Sequence, residues 1–306
     1  MSKTLIFGHK NPDTDSIAST IVMENFEKQI GNDVEAVRLG KLNKETEYVF
    51  KTFNFKIPRL IENLNGVENV ILVDHNEFTQ SADGIENVCI KKVVDHHRIE
   101  NFKTSEPLYY RAEPVGCTAT VLYQMYKENN IEITKNIAIL MLSAIISDTL
   151  LFKSPTCTKK DIEIADKLQK IADIDIQKYG LDLLKAGTDL SDLTEEELIN
   201  IDAKEFKMNG IKIQVAQINT ASIEDMMKRA SKIKEEMNKV ISKNDLSLFV
   251  TMITDIINNN SQVIVLGNKS NAFANGFKVK LENDSAFLQG VVSRKKQIIP
   301  ILTNNI

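Results

Sequence analysis

Short, fully apolar runs alternate with stretches of helical periodicity through the first half of the chain. Thr4-Leu5-Ile6-Phe7, Glu35-Ala36-Val37-Arg38-Leu39, Val70-Ile71-Leu72-Val73 and Lys92-Val93-Val94 read as strands, with a shorter one near Leu108-Tyr109-Tyr110. After the first of them, apolar positions recur at Ala18, Val22, Phe26 and Ile30, with Ile17 and Ile21 alongside, which predicts a helix. Lys44 to Phe53 and Thr118 to Glu128 read as helices too. Strands that are apolar on both faces and separated by helices imply a parallel sheet covered on both sides, an α/β fold.

Asn136 to Ser147 is apolar nearly all round, so it reads as a buried helix, and helices from about Lys159 to Ile171 and Ile176 to Ala186 follow. The polar stretch Gly187-Thr188-Asp189-Leu190-Ser191-Asp192 interrupts the pattern, and Thr194 with Glu197 forms a capping box that restarts a helix. We therefore expect a first domain over 1–187, a hinge linker at 188–193 and a smaller α/β domain over 194–306. The second domain reads as strands at Ala203 to Met208, Ile211 to Ile218, Leu246 to Ile256 and Gln262 to Leu266, with one long helix from Ile223 to Ile241. It ends in the basic stretch Ser293-Arg294-Lys295-Lys296-Gln297.

Composition narrows the function classes. The 306 residues are 42% hydrophobic and 26% charged, ordinary for a globular protein with two cores. A net charge of -4 with scattered lysines supplies no basic field, so nucleic acid is not the expected partner. No apolar run reaches about 18 residues, and the start of the chain lacks the apolar core of a signal peptide, so no membrane association and a cytoplasmic location are expected. The cysteines Cys89, Cys117 and Cys157 are far apart, with no Cys-x-x-Cys pair, and read as small packing residues.

The chemistry gathers at strand ends. All four histidines, His9, His75, His96 and His97, follow predicted strands of the first domain, each in company with Asp. A parallel sheet brings those ends to one edge, where α/β folds bind ligands. Taken singly, Asp13 and Asp15 read most simply as helix caps in the loop Gly8-His9-Lys10-Asn11-Pro12-Asp13-Thr14-Asp15-Ser16. A calcium loop fits positions one, three and twelve (Asp13, Asp15, Glu24) but fails at five and six, which are Ile17 and Ala18. Asp148, at the C-terminal end of the buried helix, faces the negative end of the helix dipole, a poor place for a carboxylate unless a cation compensates. Carboxylates outnumber imidazoles and no thiolate is at hand, which favours Mn²⁺, Co²⁺ or Mg²⁺ over structural zinc. Asp13, Asp15, Asp74 and Asp148 are enough to neutralise two divalent ions, a common device for phosphate hydrolysis.

The loop just quoted, with Val73-Asp74-His75-Asn76, Asp95-His96-His97-Arg98, Pro114-Val115-Gly116-Cys117-Thr118-Ala119-Thr120, Ser147-Asp148-Thr149 and Ser293-Arg294-Lys295-Lys296-Gln297, resembles the manganese-dependent (family II) inorganic pyrophosphatases of the DHH phosphoesterase superfamily. The resemblance spans essentially the whole chain in motif order and spacing, whereas the Asp-His-His triplet alone would indicate only the superfamily. It implies two Mn²⁺ per subunit, with Co²⁺ able to replace them and Mg²⁺ arriving with the substrate. His9, Asp13, Asp74 and Asp148 would hold one ion, and Asp15, Asp74, His96 and Asp148 the other. His97, Lys204, Arg294 and Lys295 match the family's pyrophosphate-binding positions, so the smaller domain is of the substrate-binding DHHA2 type and the active site lies at the domain interface.

From the residues alone, Arg294, Lys295 and Lys296 read as a solvated charge run on a strand, and Lys204 carries no signal. Asp95 is expected to orient a histidine rather than bind metal. The resemblance implies hydrolysis of diphosphate to two phosphates by in-line attack of a hydroxide bridging two ions, domain closure about the hinge, and a homodimer formed through the first domain. Other readings are exopolyphosphatase, a nucleotide-cleaving phosphodiesterase of the superfamily, and a non-catalytic metal- and phosphate-binding regulator. No histidine follows His97, which argues against the nucleotide-cleaving branch, and a full ligand set argues against the regulator. Without extra sequence between the motifs, adenine-nucleotide regulation is not expected.

Overall fold

Five parallel pairings order the first sheet β3-β2-β1-β4-β5-β6 in the computed structural model, which describes residues 3–306. The strands are β1 (Thr4–Phe7), β2 (Val34–Arg38), β3 (Arg59–Leu60), β4 (Asn69–Val73), β5 (Cys89–Asp95) and β6 (Tyr109–Ala112). The chain steps outward from β1 to β2 and β3, then returns to lay β4 on the other side of β1. That reversal is the switch point where an open α/β sheet leaves a crevice beyond its strand ends.

The helices of this part are α1 (Thr14–Gln29), α2 (Lys44–Phe53), α3 (Thr118–Glu128), α4 (Lys135–Thr149), α5 (Lys159–Ala172) and α6 (Ile176–Gly187). On one face of the sheet Leu5, Phe7, Val37, Leu72 and Val93 join Ile61, Leu64 and Ile85 in one cluster. Alternate residues of the same strands, Ile6, Ile71 and Val94, are also buried, so both faces are covered. α1 packs on α3 and α4, and α4 is buried from Ile137 to Ile146, as its all-round apolar sequence predicts. β5 starts earlier than its apolar run, because Val70 pairs with Ile90 and Ile71 with Lys92, which leaves Lys91 as an extra residue in a bulge.

The chain divides into two compact units, Met1–Gly187 and Thr188–Ile306. The stretch expected as a linker is fastened to the second unit: Ala221 N donates to Thr188 Oγ1 (3.0 Å), and Arg229 donates to the carbonyls of Leu190 and Leu193. The predicted capping box is present, with Thr194 and Glu197 opening α7 (Glu195–Asn200).

The second sheet runs β11-β10-β9-β8-β7, built from β7 (Ala203–Met208), β8 (Ile211–Thr220), β9 (Leu248–Asp255), β10 (Asn260–Leu266) and β11 (Ser285–Leu288). Only β8 and β9 are parallel. Every residue of β9 is buried, between a core of Ile213, Val215, Leu248 and Val250 and one of Ile218, Phe249, Ile253 and Ile264. The one long helix expected from Ile223 is two, α8 (Ile223–Met227) and α9 (Ala230–Asn244), broken where Arg229 turns to reach the 190–195 segment. α10 (Ser270–Phe277), β11 and α11 (Ile299–Asn305) were not expected; α10 is Ser-Asn-Ala-Phe-Ala-Asn-Gly-Phe, poor in helix formers.

The basic stretch is not a solvated strand. Arg294–Ile298 forms a π-type turn feeding α11, with Arg294 buried. Gln297 Oε1 accepts from Val292 N and Ser293 N at 2.9 and 3.0 Å, holding the turn closed.

Candidate metal centre

The end of β1 and the start of α1 touch so closely that only glycine fits between them, since a Cβ on Gly8 would lie 1.9 Å from Ser16 Oγ. Asp13 is the N-cap of α1, and its Oδ1 accepts from Ser16 N at 2.9 Å. Its Oδ2 lies 3.5 Å from His9 Nε2, so capping one way leaves a ligand atom facing the other. Asp15 is fully buried, accepting from Ser19 Oγ and from Thr118 N at 2.6 Å each.

β4 is followed by Asp74 in the left-handed region (φ 58°), a conformation that aspartate tolerates better than most side chains. Its Oδ2 lies 3.4 Å from His9 Nε2, while Oδ1 lies 3.4 Å from His96 Nε2 and accepts from Thr118 Oγ1 at 3.1 Å. His96 Nδ1 donates to Val115 O at 3.0 Å, which turns Nε2 toward the carboxylates. Asp148, in the last turn of α4, brings Oδ2 to 3.7 Å from His96 Nε2. The helix stops in a run of left-handed residues, Leu150, Leu151 and Phe152, held by Leu151 N to Ile146 O (2.9 Å) and Ser154 N to Thr149 O (2.8 Å). Such backbone persists only where its surroundings impose it.

Two groups result. Asp15, Asp74, His96 and Asp148 offer ligand atoms all within 4.8 Å of one another, and so do His9, Asp13 and Asp74. A third such group joins Asp74 and His96 to His97. Among the described residues, Asp74 Oδ2 and Asp148 Oδ2 are buried carboxylate oxygens without a hydrogen-bond partner. A buried carboxylate oxygen without a hydrogen bond is costly, and a cation between these groups would satisfy both. Oxygen and imidazole donors without thiolate suit Mn²⁺, so the residues present fit that ion.

The electrostatics of the metal-free protein point the same way. Burial opposes charge on His9, but the Asp13 and Asp74 carboxylates outweigh it and lift its pKa to about 10. Burial likewise opposes charge on His96, and Asp74 and Asp15 raise it to about 9. For Asp74, burial works against ionisation, yet His9 and His96 hold its carboxyl well below the usual range. Burial and the Asp74 charge push Asp15 up to about 6, and burial with Asp15 and Asp13 raises Asp148 further.

Not every expected residue joins the cluster. His75 turns into the fold, its Nδ1 donating to Val73 O (2.9 Å) and its Nε2 accepting from Ser81 Oγ (3.2 Å). Burial holds it below the ordinary histidine pKa. Asp95 is fully buried and serves His97: its Oδ1 accepts from His97 Nδ1 (2.9 Å), His97 N (3.1 Å) and His96 N (2.8 Å). His96's ring is instead oriented by Val115. In the second unit Lys204 on β7 and Lys295 are exposed. Arg294 donates to Asp202 O and Asp202 Oδ1 and, at 3.3 Å, to Val215 O. Val115 and Thr118 were quoted in a motif without roles; the start of α3 beside three strand ends is the signal that marks them.

The family comparisons agree with one another. The DHH family N-terminal domain matches residues 3–145 and the DHHA2 domain residues 181–305. The chain is 54% identical over 305 residues to the manganese-dependent inorganic pyrophosphatase of Bacillus subtilis, covering 99% of each. It is 55% identical over 304 residues to a probable manganese-dependent inorganic pyrophosphatase of Exiguobacterium, covering 99% of this chain and 98% of the other. Among solved structures, the putative family II inorganic pyrophosphatase of Methanococcus jannaschii is 42% identical with a TM-score of 0.63, covering 98% of both chains. An exopolyphosphatase-related protein of Bacteroides fragilis, 13% identical with a TM-score of 0.51 over 99% of this chain and 92% of its own, shares the fold. With both domain matches and full-length relatives above half identity, the chain belongs to the manganese-dependent (family II) inorganic pyrophosphatases of the DHH superfamily.

Proposed function

We propose that the chain hydrolyses inorganic diphosphate to two phosphates, using two Mn²⁺ held by His9, Asp13, Asp74 and Asp148 on one side and Asp15, Asp74, His96 and Asp148 on the other. The observation that carries this reading is the meeting of Asp74 and Asp148, each with a buried oxygen lacking a partner, among two imidazoles and two further carboxylates. Ions held by these residues would supply Lewis acidity, lowering the pKa of water toward neutral and offsetting the charge of the diphosphate.

The chain's own residues do the rest. Thr118 and Val115 fix Asp15, Asp74 and His96 before the substrate arrives, so little reorganisation accompanies reaction. His97, half exposed and held through Nδ1 by Asp95, keeps its other nitrogen for an oxygen of the diphosphate, and Asp95 raises its pKa, which suits it to give a proton to the leaving oxygen. Lys204, Arg294 and Lys295 would bind the phosphate oxygens; Arg294, already anchored on Asp202, keeps further N–H donors for this. Co²⁺ would serve in place of Mn²⁺, and Mg²⁺ would enter with the substrate.

This reading extends to a cytoplasmic homodimer with no nucleic-acid or membrane partner. Among the described residues no helix is long and apolar enough to cross a membrane. The test is phosphate release from pyrophosphate, tripolyphosphate and a dinucleotide by metal-stripped protein reloaded with Mn²⁺, Co²⁺, Mg²⁺ or Zn²⁺. Fast turnover of pyrophosphate alone with Mn²⁺ or Co²⁺ is expected. Preference for tripolyphosphate would make it an exopolyphosphatase, and silence on all three would leave a binding protein.

A further inference from the structure

Asp161 lies in the first turn of α5, outside every motif, and is fully buried. As the third residue of a capping box it needs only Thr158: its Oδ2 accepts from Thr158 N and Oγ1 at 2.7 and 2.6 Å. An exposed helix start would satisfy that arrangement equally well. Here the carboxylate takes two more donors from distant sequence, Gly116 N on Oδ2 at 2.9 Å and Thr120 Oγ1 on Oδ1 at 2.6 Å. The fit at Gly116 is close, since a Cβ there would lie 2.9 Å from both Asp161 Oδ2 and Thr149 Cγ2.

The pinned residues 116 and 120 bracket the atoms that hold one metal group. Val115 O takes His96 Nδ1–H at 3.0 Å, Thr118 N donates to Asp15 Oδ2 at 2.6 Å, and Thr118 Oγ1 donates to Asp74 Oδ1 at 3.1 Å. Three of the four members of the Asp15, Asp74, His96 and Asp148 group are thus oriented from one short segment. Of the His9, Asp13 and Asp74 group, the hydrogen bonds of this segment reach Asp74.

We infer that Asp161 is a positioning residue for the His96 metal site: it locks residues 115–120 so that His96, Asp15 and Asp74 present their ligand atoms, and it acts on that site more than on the His9 site. Carboxylates that orient a site from outside its ligand sphere typically matter tenfold or more for metal affinity. The inference rests on the reading that the clusters hold Mn²⁺, and its test separates the two.

The experiment is calorimetric Mn²⁺ titration of the metal-stripped full chain and its variants, paired with NMR of the His96 Nδ1–H in the metal-free protein. Asp161→Asn keeps the shape but replaces one acceptor by a donor facing donors. It should weaken one of two Mn²⁺ steps by about 10- to 100-fold, weaken the other less, and broaden the Nδ1–H signal. Thr158→Ala, which weakens only the cap, should lower the melting temperature with both steps intact. Thr120→Val is the milder lever should Asp161→Asn not fold, with a smaller loss at the same step. Unchanged Mn²⁺ steps and an intact Nδ1–H signal in a folded Asp161→Asn or Thr120→Val protein would overturn the inference, as would equal losses in Asp161→Asn and Thr158→Ala. A wild-type chain that takes up no Mn²⁺ would count against the proposed function, and the Nδ1–H signal would still judge Asp161.

Discussion

The two units carry charge in opposite ways. In the first, Asp15 and Asp74 are buried at the strand ends, with His9, His96 and Asp148 half-buried beside them, so charge there is costly and suits a cation. In the second, Lys204 and Lys295 stand in solvent, while Arg294 is buried, tied to Asp202 and Val215. A buried set of fixed ligands selects a small ion by geometry, whereas exposed lysines attract a dense anion without fixing it. Metal affinity should therefore reside in the first unit and anion affinity in the second, and mutations can test that division.

The largest effect is expected at Asp74, the residue common to every ligand group. Asp74→Ala should abolish tight binding of both Mn²⁺ ions and cost several kcal/mol of transition-state stabilisation, on the order of thousands-fold in turnover. Near-normal turnover with one ion bound would break the shared-ligand account.

Acidity comes next. In the metal-free protein burial opposes charge on both imidazoles, but the neighbouring carboxylates lift His9 to about 10 and His96 to about 9, above the unfolded value of 6.5. Their raised pKa values mean that the imidazolium contacts stabilise the fold fully below pH 6.5 and that this contribution is lost as pH rises through about 9 to 10. Both must lose a proton to bind metal, so Mn²⁺ affinity should rise by about tenfold per pH unit for each proton released across neutral pH. Calorimetry in buffers of different ionisation enthalpy should register that release, and an affinity flat from pH 6 to 8 would count against it.

Smaller effects should separate the units. Lys204→Ala and Lys295→Ala should each slow pyrophosphate turnover by up to about 100-fold while Mn²⁺ titrations stay unchanged. A parallel loss of metal would erase the division. Arg294→Lys should do likewise and also lower the melting temperature, because a lysine cannot span Asp202 and Val215 together. His75→Gln should leave Mn²⁺ binding intact and cost about 1–3 kcal/mol of stability, the price of an unmatched buried partner at Ser81 or Val73.

The part of this organisation that the sequence displays is the part set by local periodicity. Strands apolar on both faces predicted the parallel sheet, and histidines placed just beyond them predicted where His9, His96 and Asp74 gather. Distant partners decided the rest. Nothing near His75 tells that Ser81 draws it inward, and nothing near Arg294 tells that Asp202 and Val215 bury it. The left-handed run at Leu150 to Phe152 carries no glycine to betray it, and α10 is made of residues that favour turns. Asp161 shows the same limit, since Thr158-x-x-Asp161 reads as a cap while its reach to Gly116 spans folds of the chain.

The most direct test is the number of Mn²⁺ ions that the metal-stripped chain takes up, followed by titration calorimetry and electron paramagnetic resonance while pyrophosphate turnover is recorded. The account predicts two ions per chain, magnetically coupled through shared ligands, with turnover rising only as the second enters. A single ion sufficing for full turnover, or two that are magnetically independent, would contradict it.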